Sequence, residues 1–148
     1  MSGELNSQSD IAAWRTLFEL DLDLLHVPCW PGPAKLIVDE RSAEELRNLN
    51  RPIADYLADI LERAFSEHGG EVNEGREKVL WDLARVAAVA DPEAIMTDPL
   101  AVPTLDAAGQ HGFSRRGREV EAVTDLDPER VLAGIICALA RHPTDPTA

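Results

Sequence analysis

The sequence predicts an α/β protein in which few strands are flanked by several helices. Three observations carry that expectation. Apolar residues recur at helical spacing in several stretches, most clearly at Ile53, Tyr56, Leu57, Ile60, Leu61, Ala64 and Phe65. A brief apolar run, Leu22 to Val27, is stopped by Pro28 and by Pro31-Gly32-Pro33, which suits a buried strand ending in a loop. Helix, strand and loop follow one another in the order an α/β sheet requires.

Taken in order, Ser9 to Leu20 carries Ile11, Trp14, Leu17 and Phe18 on one face, with Ser9 or Asp10 available as cap. Ahead of it, Glu4 and Asn6 would face one side together if that segment were extended. Ser42 to Leu49 predicts a helix opened by a Ser42/Glu45 capping box. The helix after Pro52 is expected to end near His68-Gly69-Gly70, and the polar residues that follow read as an exposed loop.

Leu80 to Ala90 returns to helical spacing, with Leu83, Val86, Ala87 and Ala90 as its apolar face and Asp82 in its first turn. Leu100 to Leu105 and Glu119 to Thr124 read as strands on either side of a Gly- and Arg-rich turn. Asp127-Pro128-Glu129 opens a closing helix to about Arg141, with Val131, Leu132, Ile135, Ile136 and Leu139 as its core stripe. Residues 1–142 are expected to form a single domain and 143–148 a flexible tail. About three strands against five or six helices is few for a self-contained sheet, so part of the sheet is expected from another segment or chain, and a homo-oligomer is expected.

Composition narrows the function classes. Asp and Glu outnumber Lys and Arg by 27 to 14, a net charge of −13, which excludes the basic surface that nucleic acids and anionic membranes require. No apolar run approaches the ~18 residues that cross a bilayer, and the first residues carry no signal-peptide pattern, so the cytoplasm is the expected location. Cys29 and Cys137 lack the spacing of a zinc or redox motif, and no disulfide is expected. Arg115-Arg116-Gly117-Arg118 beside Glu119 and Glu121 reads as a solvated turn.

Single residues admit two readings each. Asp82 at a helix start suits a cap, and equally a site carboxylate. Trp81 suits a core aromatic or a surface on which a planar ligand stacks. His26, at the end of an apolar strand, lies where ligands approach α/β sheets, yet a hydrogen-bonded structural histidine fits as well.

Several stretches, taken together and in a consistent order, resemble the C-terminal half of the inosine-uridine-type nucleoside hydrolases, in the branch with a Trp-Asp pair. These are "GELNSQSDIAAWRTLFELDLDLLHVPCW" (residues 3–30), "KVLWDLARVAAVADPEAI" (78–95) and "TDLDPERVLAGIICAL" (124–139). The resemblance implies a partial nucleoside-hydrolase-like fold and hydrolysis of the N-glycosidic bond of a ribonucleoside, as in purine and pyrimidine salvage. It implies that Glu4 and Asn6 bind ribose, and that Asp82 ligates a calcium ion and touches the ribose hydroxyls. It places Trp81 where many members carry a histidine that assists the departing base. An indole can stack on a base or donate one hydrogen bond, but it cannot act as a general acid.

The family's aspartate-rich segment, source of the general base and the remaining metal ligands, has no counterpart in the sequence. Calcium takes 6–8 oxygen ligands, so one aspartate makes half a site at best, and the chain alone is expected to be inactive. The alternatives are a non-catalytic interaction or scaffold domain that kept part of the fold, and a metal-independent small-molecule binder using Glu4, Asn6 and Trp81.

Overall fold

A computed structural model describes residues 5–67, 77–107, 111–113 and 118–141. Among them it places six α-helices and seven short strands. The chain starts with α1 (Leu5–Ser9) and α2 (Ile11–Glu19), the latter capped by Asp10, whose Oδ1 accepts from the Ala13 N–H at 2.9 Å. Next comes β1 (Leu25–His26), a single 3-10 turn at Pro33–Lys35, and β2 (Ile37–Val38). Two helices packed on one another follow, α3 (Glu40–Asn48) and α4 (Pro52–Glu67), joined through Asn50, whose φ of 52° ends α3 in the left-handed conformation asparagine tolerates.

The second half runs β3 (Lys78–Val79), α5 (Leu83–Ala90), β4 (Ile95–Ala101), β5 (Pro103–Leu105), β6 (His111–Phe113), β7 (Glu119–Leu126) and α6 (Pro128–Arg141). The main sheet has the order β1-β7-β4. Strand β7 pairs parallel with β1, Leu25 opposite Glu121, and antiparallel with β4, Ile95 opposite Leu126 through Ala101 opposite Glu119. Pro99 is tolerated in β4 because that strand is an edge with one unpaired side. Two-stranded pairs β2-β3 and β5-β6 complete the ladders.

The core divides into two clusters that meet at Leu80. One gathers Leu36, Ala84, Ala87, Ala94, Leu126 and Val131 between α5, β7 and the start of α6. The other gathers Val38, Ala43, Leu46, Ala54, Ala58 and Phe65 between α3 and α4, with Leu132, Ile136 and Leu139 of α6 against it. Small residues on α3, α4 and α5 let these helices approach closely. Gly32 belongs to the same economy of space, since a Cβ there would sit 3.0 Å from the Asp125 Cα.

The mixed α/β class stands, and α4 and α6 run close to their expected bounds. Other expectations are corrected. Asn6 lies in a helical turn, not an extended segment. The strand before Pro28 is two residues long and not buried, because β1 is a sheet edge and Leu25 is exposed. The capping box of α3 belongs to Asp39 and Ser42, which starts the helix three residues early.

Lys78-Val79 form a strand, the helix expected from Leu80 starts at Leu83, and α5 buries Ala84 and Ala87 while Val86 and Val89 face outward. Strand β4 was missed, and the expected strand 100–105 is broken at Val102 into the end of β4 and β5. Cys137 is exposed, not in apolar surroundings, and the two cysteines are not joined. Arg118 is no solvated turn residue. It donates to the Leu20 carbonyl and, at 2.6 Å, to the Leu22 carbonyl, clamping the segment that leads into β1. The expected helix end at 68–70, the loop after it, residues 115–117 and the tail 143–148 lie outside the described residues.

Candidate functional site

The parallel pairing of β1 with β7 presents the carboxyl end of β1 beside two helices, the position where α/β sheets receive ligands. A cleft of about 560 Å³ opens there. Its aromatic wall comes from α2: Trp14 and Phe18 are four residues apart, one helical turn, and their rings lie 5.3 Å apart at 51°. The Phe18 ring meets His26 at the end of β1 edge-on, 6.0 Å between centroids. Asn6 enters from α1, and Asp82 and Arg85 enter from the start of α5.

The chain therefore brings together two of the three expected ribose-site residues, Asn6 and Asp82, although 76 positions separate them in the sequence. Glu4 lies outside the described residues. Trp81 is half-buried in the turn between β3 and α5 and is not among the residues lining this cleft, where Trp14 and Phe18 provide the flat surface instead.

Asp82 occupies the N-cap position of α5, yet its carboxylate makes no capping hydrogen bond. The cap is made by its carbonyl, which accepts from the Arg85 N–H at 3.1 Å. The carboxylate is 92% exposed and pairs with the Arg85 guanidinium one turn on. The cleft thus offers one anion, one cation, an amide, an imidazole and an aromatic wall. Such a set suits an uncharged, hydroxyl-bearing molecule with a planar part, held by hydrogen bonds at one end and stacking at the other.

A calcium ion was the cofactor implied for Asp82. Among the described residues no three His, Cys, Asp or Glu side chains are placed to share a metal ion. The described residues do not by themselves fit a calcium site.

Three residues of the cleft were not singled out for it by the sequence. Trp14 and Phe18 carried the ordinary signal of a core-facing helix stripe, and only the sheet edge beside them turns that stripe into a wall. Arg85 had a local signal, its i, i+3 spacing from Asp82. Two other concavities hold none of the expected residues. One of about 750 Å³, lined by Asp21, Asp23, Arg118, Glu119 and Glu121, follows the open end of the sheet. The other, about 310 Å³ and almost wholly apolar, is a groove between α3, α4 and α6.

No protein family and no curated protein matches the sequence. Among solved structures the chain is similar to a purine-preferring ribonucleoside hydrolase from Gardnerella vaginalis, with a TM-score of 0.77 and 17% identity. The match covers 93% of this chain and 46% of that one, so the chain spans less than half the length of that structure. At this identity the likeness establishes the fold: a nucleoside-hydrolase-like α/β arrangement, present in part. Among the described residues no helix is long and apolar enough to cross a membrane.

Proposed function

We propose that the chain supplies one wall of a nucleoside-hydrolase-like site, binding the ribose of a ribonucleoside without cleaving it unaided. The observation that carries this reading is the meeting of Asn6 and Asp82 in a single cleft against the Trp14–Phe18 wall. Asp82 would accept hydrogen bonds from the ribose diol, Asn6 would offer both a donor and an acceptor, and the base would lie along the aromatic wall. The fold likeness to a ribonucleoside hydrolase supports the substrate class.

Bond cleavage needs a general base and charge stabilisation of an oxocarbenium-like sugar. In this reading both come from a complementary half of the fold, together with whatever carboxylates calcium would require. Ribose and inosine titrated into the purified chain should give weak, millimolar binding by NMR shift changes at Asn6, Asp82 and Trp14, with no ribose released from inosine. Asn6→Ala and Asp82→Asn should each abolish binding. Because the Asp82 carboxylate makes no capping hydrogen bond, the second variant should keep its unfolding free energy, from urea titration, within about 0.5 kcal/mol of the parent. Absence of binding at tens of millimolar ligand would refute the reading.

A second reading, an interaction domain without chemistry, is favoured by one observation. Leu20 and Leu22, in the segment leading into β1, and Leu25, in β1 itself, are 48%, 48% and 46% exposed. Such an apolar edge suits pairing with a further strand or a second copy.

A further inference from the structure

Arg85 stands out because it shares both the cleft and the carboxylate that the cleft would offer a ligand. It reaches the exposed Asp82 carboxylate, at the N-cap of α5, from the first turn of that helix. A divalent cation directed to Asp82 would have to displace the guanidinium or sit beside it. Among the described residues no group of three His, Cys, Asp or Glu side chains is placed to share an ion and offset that repulsion.

From this we infer that Arg85 is the resident cation of the cleft: its guanidinium holds the Asp82 carboxylate in place of a divalent ion and sets the site against calcium. The inference rests on the reading of the cleft as a ribose site, and it deepens that reading in one respect. The ligand mode of this chain is cation-free, with a neutral, hydroxyl-bearing molecule meeting a carboxylate whose charge is already balanced. An arginine suits that role because it stays charged throughout the physiological range and presents several donors.

The test needs no nucleoside. Calcium chloride is titrated into the purified chain, its Arg85→Gln and Arg85→Lys variants, and the double variant Asp82→Asn/Arg85→Gln, following calorimetric heat and backbone amide shifts around Asp82. Both side chains reach the surface, so folding of each variant is checked by its amide spectrum. The parent and Arg85→Lys should bind calcium only at millimolar levels or weaker. Arg85→Gln should bind roughly tenfold more tightly, the size expected when a unit positive charge a few ångström from a divalent ion in water is removed. The double variant should lose that gain.

Equal affinity of the parent and Arg85→Gln would overturn the inference, as would tight binding by the parent or a gain that survives loss of Asp82. The ribose titration reports separately on whether the cleft is a sugar site at all, so failure of one reading is distinguishable from failure of the other.

Discussion

Asp39 closes the N-terminus of α3 from both sides. Its Oδ1 accepts from the Ser42 N–H at 3.0 Å and from the Ser42 hydroxyl at 3.1 Å, while its own N–H donates to that hydroxyl at 3.2 Å. The Ser42 backbone hydrogen bond holds the Asp39 carboxyl below the usual carboxylate value. A folded-state pKa lowered in this way contributes stability that is fully present above the unfolded value, near 4, and is lost as pH falls through the folded value. Asp39→Ala should therefore cost about 1 kcal/mol at neutral pH by urea unfolding, and the gap to the parent should shrink steadily below about pH 4. A gap unchanged at pH 2.5 would show that the loss is not electrostatic.

The same corner shows why single residues were hard to read in advance. Ser42 followed by Glu45 matches the residue types of the capping box, and Asp39 followed by Ser42 has the same spacing with a serine hydroxyl in place of the usual Glu or Gln. Sequence spacing cannot choose between them, because the choice turns on where β2 releases the chain. Asp82 was equally ambiguous, and both local readings missed that its carboxylate is engaged by Arg85.

At the scale of elements, legibility followed burial. Periodicity placed the bounds of α4 and α6 well, and the packed face of α6. In α4 only Leu57, Leu61 and Phe65 of the expected stripe pack on the core, while Ile53, Tyr56 and Ile60 are exposed and the buried Ala54 and Ala58 were not expected there. The two- and three-residue strands could not announce themselves, since a period of two needs more residues than they possess. In α5 the stripe was placed on Leu83, Val86, Ala87 and Ala90; Ala87 is buried and Leu83 packs against the core, but Val86 and Ala90 are exposed and the buried Ala84 was not named. Alanine carries little hydrophobic signal, yet only its small side chain lets α5 lie close to Leu36 and Leu126.

Leu36 is fully buried where β2, α5 and β7 converge, and its carbonyl accepts from the Leu80 N–H at 2.8 Å. Leu36→Ala should destabilise the chain by about 2–5 kcal/mol, because the surrounding backbone is held too firmly to collapse into the space. A loss below 1 kcal/mol would mean that this junction is looser than its packing implies.

For the molecule as a whole, the deciding feature is a three-stranded sheet whose outer strands, among the described residues, keep unpaired sides. The sequence foretold a shortage of strands. It could not foretell which edge would be open, because that depends on β7 lying between β1 and β4. If the β1 edge receives a second copy, light scattering should show a dimer that Leu25→Lys converts to monomer, since Leu25 is exposed at that edge. A monomeric parent at high concentration would leave the edge to a different polypeptide.

The pairing of β1 with β7 also fixes the order in which the chain can assemble. Helices α3 and α4 are neighbours in sequence and can meet early. Leu25 must find Glu121, and Arg118 the carbonyls of Leu20 and Leu22, across almost the whole described chain. Long loops close at greater entropic cost, so this strap forms late in folding. A molecule lodged against β1 therefore fastens together segments that meet last, and its occupancy would register as slower unfolding before it registered as chemistry.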